Sequence, residues 1–362
     1  MRNTALVYMA FVCALLWAAS SPLFATKADG MVSTIESHMQ AKNYEAAAKA
    51  AAELTEHYPE FLKGWMLLGY CLSVTGDYSG SNRAYAKALT LGGEPDNLNK
   101  RMAYNYLRLG KYDDAKKCYQ TILETDPDNI EALKQLGNIE AKLGNLNQAA
   151  QYYERTLELN ANDTEVILAL AKVESKRGGN GSVKALIEEG LKLDPDNTAF
   201  LGKLGLIQIK EKNFQGAVEP LSKLVSLEPD NVTAHRNLGV AYYQLGEKKA
   251  AKDQFETVKR LGGDMDDLYG PLADCYMAAG QDGEALSVIQ AGIDRDIQKA
   301  WLYSLWGKIL ERQKNYDGAI TMFAKAVDLK EDPWSDYARK QIARQSKLKK
   351  REQMMARQQG TP

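Results

Sequence analysis

Three histidines, His38, His57 and His235, and four cysteines, Cys13, Cys71, Cys118 and Cys275, are the side chains of this 362-residue chain best suited to metal ligation or nucleophilic attack. Their spacing serves neither purpose. A hydrolytic zinc site places two histidines one helical turn apart, as in HExxH, and a zinc or redox knuckle needs CxxC. The sequence has neither, nor a phosphate-binding glycine loop or a nucleophile elbow. No catalytic residue, metal site or cofactor is therefore assigned, and the chain is read as a non-enzyme. Cys71, Cys118 and Cys275 are too few for a disulfide framework and are expected to pack as buried small hydrophobes. His235 stands where Trp65, Leu133 and Leu201 stand in other segments, so it is expected to pack between helices.

The elements that hold these residues follow from a period of thirty-four. A small residue recurs as Gly69, Ala103, Gly137, Ala171, Gly205, Gly239, Ala273 and Gly307. A second small residue recurs as Ala47, Ser81, Ala115, Ala149, Ala217, Ala251, Ala285 and Ala319, with Val183 as the bulky exception. Four residues after it comes a large apolar one, among them Tyr85, Tyr119, Tyr153, Ile187, Leu221, Phe255, Ile289 and Phe323. Four is a helical spacing, so the small and large residues share one face. Trp65, Leu68, Gly69 and Leu72 give the i, i+3, i+4, i+7 pattern of a preceding helix. Each period is thus two antiparallel helices, and a unit this short buries its apolar face only by stacking on its neighbours.

Punctuation keeps the same phase. Pro59, Pro127, Pro195 and Pro229 end second helices, because proline lacks an amide hydrogen and restricts the residue before it. In Asp126-Pro127-Asp128-Asn129 and its counterparts at 194–197 and 228–231, a late carboxylate or amide is placed to cap the next helix. Leu91-Gly92-Gly93 and Leu261-Gly262-Gly263 end helices by positive φ instead. Gly76, Gly110, Gly144, Gly178, Gly246 and Gly280 mark the turn inside each pair. Pro220 and Pro271 fall within helical stretches and are expected to kink or shorten them.

Trp65-x-x-Leu68-Gly69, Gly76-Asp77-Tyr78 and Tyr85-x-x-Ala88-Leu89 together resemble the tetratricopeptide repeat family. The resemblance covers about residues 28–333, as nine units starting near residues 28, 62, 96, 130, 164, 198, 232, 266 and 300. It implies an all-α, right-handed superhelical solenoid of about nine helix-turn-helix repeats of 34 residues, closed by a C-terminal capping helix. Two units depart from the pattern. The first has Thr34 and Ile35 in place of Leu-Gly, as a degenerate cap would. The fifth carries Gly178-Gly179-Asn180-Gly181 and Val183, which points to looser packing and a bend.

The ends differ in character from the array. Arg2 precedes an apolar run from Ala5 to Ala19, and residues 1–25 read as a signal peptide cleaved after Ala25, with an uncleaved inner-membrane anchor as the alternative. The protein is accordingly expected to be exported to the periplasm or cell envelope. Residues 334–362 form a basic cap and tail. Arg339, Lys340, Arg344, Lys347, Lys349, Lys350, Arg351 and Arg357 face only Asp336 and Glu352 there, a net of +6 in a chain of net charge −1. With no basic balance in the rest of the chain, nucleic acid is not an expected partner.

In proteins of this resemblance the side of the first helix opposite its packing face lines a concave groove, where extended peptides or partner helices dock. On this chain that side carries Lys100, Tyr104, Lys134, Asn138 and Lys172, then the apolar Leu206, Ile209, Val240, Tyr243 and Met277. Arg108, Lys142, Lys176 and Lys210 lie nearby, but at helix C-termini, where the macrodipole favours a cation without any ligand. Lys134 and Asn138 resemble part of a two-carboxylate clamp for peptide C-termini, yet Ala169 and Ala199 stand where its remainder belongs. The expected function is a protein-binding scaffold that takes a protein or peptide partner, contacting membrane only through the N-terminal segment or the basic tail. The alternative is a membrane-tethered organiser that self-associates through its repeats.

Overall fold

The computed structural model describes residues 22–295, 297, 299–331 and 333–359. The Ala5–Ala19 run expected to direct export lies outside them. Nineteen helices and no strand are found among the described residues. They are α1 Pro22–Gln40, α2 Tyr44–His57, α3 Leu62–Thr75, α4 Tyr78–Thr90, α5 Pro95–Arg108, α6 Tyr112–Thr125, α7 Ile130–Leu143, α8 Leu146–Leu159, α9 Thr164–Arg177 and α10 Asn180–Leu193. There follow α11 Thr198–Lys210, α12 Phe214–Leu227, α13 Val232–Gln244, α14 Lys248–Arg260, α15 Tyr269–Ala278, α16 Asp282–Asp294, α17 Ala300–Arg312, α18 Tyr316–Asp328 and α19 Trp334–Gln359. Nine hairpins and a closing helix result. The chain divides into two compact units, residues up to Val183 and residues from Lys184 onward. The division falls inside α10, in the glycine-rich fifth repeat.

Within each hairpin the recurring small residues are where the two helices touch. Ala47, Ala115, Ala149, Ala217, Ala251, Ala285 and Ala319 are all wholly buried. The first hairpin inverts the pattern: Ile35 takes the small position of α1 and Ala51 the large position of α2, both fully buried in one cluster. Exchanging the two sizes conserves volume, so the pair still closes. In the second hairpin Ser81 replaces the alanine, and its hydroxyl donates to Gly69 O at 2.6 Å. Asn105 then donates to Ser81 Oγ (2.8 Å) and Asn82 Oδ1 (2.7 Å) and accepts from Ser73 Oγ (2.7 Å), a buried polar cluster linking two repeats.

The caps follow the punctuation. Asn129, Asn197 and Asn231 each accept, through Oδ1, from the backbone N–H three residues on, at 3.0, 3.3 and 2.9 Å. Their amide nitrogens donate to Asp126, Asp194 and Glu228, so the acid before the proline holds the capping asparagine in place. The left-handed residue of each inner turn is glycine in six repeats and Lys42, Lys212 or Lys314 in the other three, at φ 56°, 59° and 56°. Proline acts differently at its two internal sites. Helix α12 runs through Pro220, which is buried. Helix α15 instead starts late, with Pro271 in its first turn where an amide hydrogen has no helical partner, and is only 10 residues long.

Charged struts tie consecutive repeats. Lys87 to Glu60, Arg155 to Asp128 and Lys223 to Asp196 join the same two repeat positions at 3.5, 2.7 and 2.7 Å. All are exposed, so each contributes little to stability. No helix among the described residues is long and apolar enough to cross a membrane.

Candidate partner-binding surface

In the first compact unit, α3, α4 and α5 enclose a depression of about 530 Å³ lined by Tyr70, Ser73, Val74, Tyr78, Tyr85, Lys100, Arg101 and Tyr104. Tyr104 is 49% exposed and Val74 47%. The tyrosines hold one another and the neighbouring cations. The Tyr78 and Tyr104 rings meet edge to face at 6.4 Å, Arg108 lies over Tyr78 at 5.5 Å and Arg101 over Tyr70 at 5.9 Å. Lys100 is exposed with no ion-pair partner among the described residues.

A second depression, of about 350 Å³, lies between α7, α8 and α9, where Asn138, Ala141, Lys142, Leu146, Tyr153, Ala169, Lys172, Val173 and Lys176 converge. Lys142, Lys172 and Lys176 are exposed and have no ion-pair partner among the described residues. Asn138 is exposed too, but its Oδ1 already accepts from the Tyr153 hydroxyl at 2.7 Å. Burial, reinforced by the nearby Glu165 charge, pushes the Tyr153 hydroxyl up to about 12, so it stays a neutral donor.

Lys134 does not present a free charge. Its ammonium lies 3.0 Å from Asp163 and 2.9 Å from Glu165, with the side chain 18% exposed. Asp163 caps α9 and Glu165 sits in its first turn, so Lys134 joins the end of one repeat to the start of the next. Burial opposes its charge, and the bonds to Glu165 and Asp163 outweigh burial to hold its pKa above the ordinary lysine range. Arg236 stands at the same repeat position and pairs likewise with Asp267 at 2.5 Å.

The apolar residues of the second unit are less open than their spacing suggests. Leu206 is 41% exposed. Ile209, Val240 and Tyr243 are half-buried against the core, and Met277 is buried at 5%. Met277 is covered because α17 closes on it: Arg312 Nη1 donates both to Met277 O (2.9 Å) and to Asp282 Oδ1 (2.8 Å). The Tyr243 hydroxyl donates to Asp274 Oδ2 at 3.0 Å, and Lys248 pairs with the same oxygen at 2.7 Å. Burial first and the Asp274 charge second raise the Tyr243 pKa.

Late initiation of α15 opens a cavity of about 440 Å³ that sequence reasoning missed. Trp301, Leu305, Trp334 and Tyr243 form apolar wall, with Asp266, Asp267, Asp274, Lys299 and Lys308 among the polar lining. Trp301 lies so close to Gly270 that a Cβ there would stand 2.3 Å from the indole. The legible signal was Pro271, which predicted a shortened helix but not what would fill the space.

The three described cysteines are buried, and burial makes their thiols poor nucleophiles. Burial pushes the thiols of Cys71 and Cys118 up to about 11 and that of Cys275 up to about 12, so each is neutral at ordinary pH. His235 Nε2 lies 2.9 Å from Pro229 O and Nδ1 2.7 Å from Gln254 Oε1. The first of these matches the bond from Trp65 Nε1 to Pro59 O at the same repeat position, which makes His235 a packing residue. No group of three His, Cys, Asp or Glu side chains suited to a metal occurs among the described residues.

Comparison with known proteins agrees with this architecture. Models described as tetratricopeptide repeat match residues 34–95, 100–164 and 302–333, and one described as TPR repeat matches 205–246, together more than half of the chain. Among solved structures, the C-terminal part of a TPR repeat-containing protein from Cytophaga hutchinsonii aligns with a TM-score of 0.56 at 14% identity, covering 63% of this chain and 94% of that one. A tetratricopeptide repeat protein from Parabacteroides merdae covers 70% of this chain and 100% of its own, at 20% identity and a TM-score of 0.46. YrrB, described as a TPR protein with an unusual peptide-binding site, covers 52% and 96%, at 23% identity and a TM-score of 0.43. The comparison with curated proteins finds no match. Stacked hairpins, a shared period and matching repeat models agree: the chain belongs to the tetratricopeptide repeat family, whose fold is a protein-interaction scaffold.

Proposed function

We propose that this protein is an exported, non-enzymatic scaffold of the cell envelope whose first compact unit docks an extended acidic segment of a partner protein. The observation that carries the reading is the pair of mid-helix cations Lys100 and Lys172, which line two depressions and have no ion-pair partner among the described residues, with Lys142 and Lys176 of the helix C-termini beside the second. Tyr104 and Val74 stand exposed beside the first of them. Lysines on open surface are usually just solvated. Here they share concave walls with tyrosine, leucine and alanine, which suits carboxylates and apolar side chains together.

The envelope setting is supported by Arg2 and the Ala5–Ala19 run, in the pattern of an export signal. Assembly of outer-membrane, pilus, secretion or polysaccharide machinery is the role proposed for the scaffold there.

Fluorescence anisotropy with a labelled peptide alternating glutamate and phenylalanine tests the groove. Lys100→Glu with Lys172→Glu is expected to weaken binding about tenfold while helicity and melting stay the same. Equal affinity in the variant removes the basic depressions from the account. Fractionation of the native cells tests the setting, and recovery of the mature chain in the cytosol sinks it.

A further inference from the structure

The closing helix α19 is 26 residues long, twice the length of α17 or α18. Its first half caps the array. Ser335, Ala338 and Gln345 are wholly buried, Tyr337 and Ile342 pack on the last hairpin, and Ser335 Oγ donates to Ala326 O at 3.0 Å. Two ion pairs fix its roll: Arg344 with Glu311 at 3.3 Å, and Lys349 with Asp317.

That roll turns a second face outward. Lys340, Lys347, Lys350 and Arg351 are exposed, share one side of the helix at 3.6 residues per turn, and have no ion-pair partner among the described residues. Met354 and Met355 continue the same side and are 57% and 52% exposed. By the same helical count Glu352 falls just beyond Met355, at the edge of this side, and Asp336, one turn before Lys340, is already paired with Arg339. From Lys340 to Met355 the stripe runs about 22 Å.

We propose that this stripe is a docking surface for an anionic lipid membrane. Charge complementarity requires a negative partner, and the arrangement favours a lipid surface over an acidic protein. Protein interfaces centre on buried apolar anchors with charge at the rim. Here the cations occupy the length of the stripe and the apolar residues sit at its end, all on one helix. Long lysine and arginine side chains reach headgroup phosphates while two flexible thioethers enter the acyl boundary, as on amphipathic helices that lie in the interface. This surface is independent of the depressions near Lys100 and Lys172.

The test is co-sedimentation of the full chain with vesicles of phosphatidylcholine alone and of phosphatidylcholine mixed equally with phosphatidylserine. The Ala5–Ala19 run would partition into both without regard to lipid charge, so the anionic-to-neutral ratio reads the stripe. Wild type is expected to bind the anionic vesicles at least about tenfold more tightly, less so at high salt. Combining Lys340→Glu, Lys347→Glu, Lys350→Glu and Arg351→Glu should abolish that preference with helix content unchanged by circular dichroism. Met354→Ser with Met355→Ser should reduce it several-fold. Absence of preference in wild type, or its persistence in the charge-reversed variant, overturns the proposal. Charge-dependent binding to polyglutamate without binding to anionic vesicles also overturns it, in favour of an acidic protein.

Discussion

Tyr153 of α8 packs so closely on Gly137 of α7 that a methyl group at Gly137 would stand 2.5 Å from ring carbon Cε1, and its hydroxyl continues to Asn138 Oδ1 at 2.7 Å. Gly69 with Tyr85 and Gly239 with Phe255 repeat the contact, at 2.4 and 2.5 Å. One spacing in sequence, sixteen residues, thus becomes one packing event per repeat. Helix propensity alone would favour alanine over glycine by about 1 kcal/mol. Gly137→Ala is nevertheless expected to destabilise by about 1–3 kcal/mol, because the buried ring must shift to admit the methyl group. Tyr153→Leu in the same chain should recover part of the loss. Urea unfolding checks both, and an alanine variant as stable as the parent would remove the close contact as the cause of the period.

Lys212 holds φ 59° where Gly144 and Gly246 hold 86° and 81°. A side chain in the left-handed region costs about 1–2 kcal/mol, partly offset by the greater freedom glycine loses on folding. Lys212→Gly should therefore stabilise the second unit by about 0.5–1 kcal/mol, and Gly246→Lys should destabilise by a similar amount. Thermal melts of the two variants moving in the same direction would contradict the shared turn geometry.

Glu140 is a fully buried carboxylate on α7, 2.5 Å from Lys116 Nζ and accepting from Asn145 Nδ2 at 2.7 Å. Hydrogen bonding to Glu140 raises the Lys116 pKa. Glu140→Leu alone leaves Lys116, whose side chain is 24% exposed, without its anion and should cost about 2–4 kcal/mol. Adding Lys116→Met should restore much of that, since an apolar pair of similar volume avoids desolvating two charges. Additive losses in the double-mutant cycle would show that the two residues do not act as a pair.

Much of the fold was legible in the sequence. The hairpins, their turns and their caps were legible because each depends on near neighbours in sequence: Gly69 on Tyr85, Asn129 on Ala132. Lys134, Met277 and Glu140 were not. Each lies on a first helix whose surroundings come from another repeat, through Asp163 and Glu165, Arg312, and Lys116 respectively. Local spacing says which side of a helix a residue takes, not how far the next helix overhangs it. Asn105 shows the same limit. Position by position it is a polar residue where Cys71, Ile139 and Val173 stand in other repeats, and Ser73, Ser81 and Asn82 of the preceding hairpin make its burial intelligible.

Buried acids of high pKa make the array sensitive to alkali. Burial pushes the hydroxyls of Tyr119 and Tyr153 from 10.0 up to about 12, and the thiols of Cys71 and Cys118 from 9.0 up to about 11. A folded-state pKa above the unfolded value means that the unfolded chain releases its proton first, so stability is fully present below pH 9.0 and is lost as pH rises through about 11 and 12. Lys134 acts in the same sense, since its pKa too is raised, and loss of its proton breaks the joint to Asp163 and Glu165. The melting temperature should accordingly be level from neutral pH to about 9 and then fall with increasing slope. Tyr153→Phe should melt lower at neutral pH, having lost the bond to Asn138, yet fall less steeply above pH 10.0 because one of the released protons is gone. Parallel curves for the variant and the parent across that range would mean that Tyr153 ionises as readily folded as unfolded, and that its ring is not enclosed by α7 and α8.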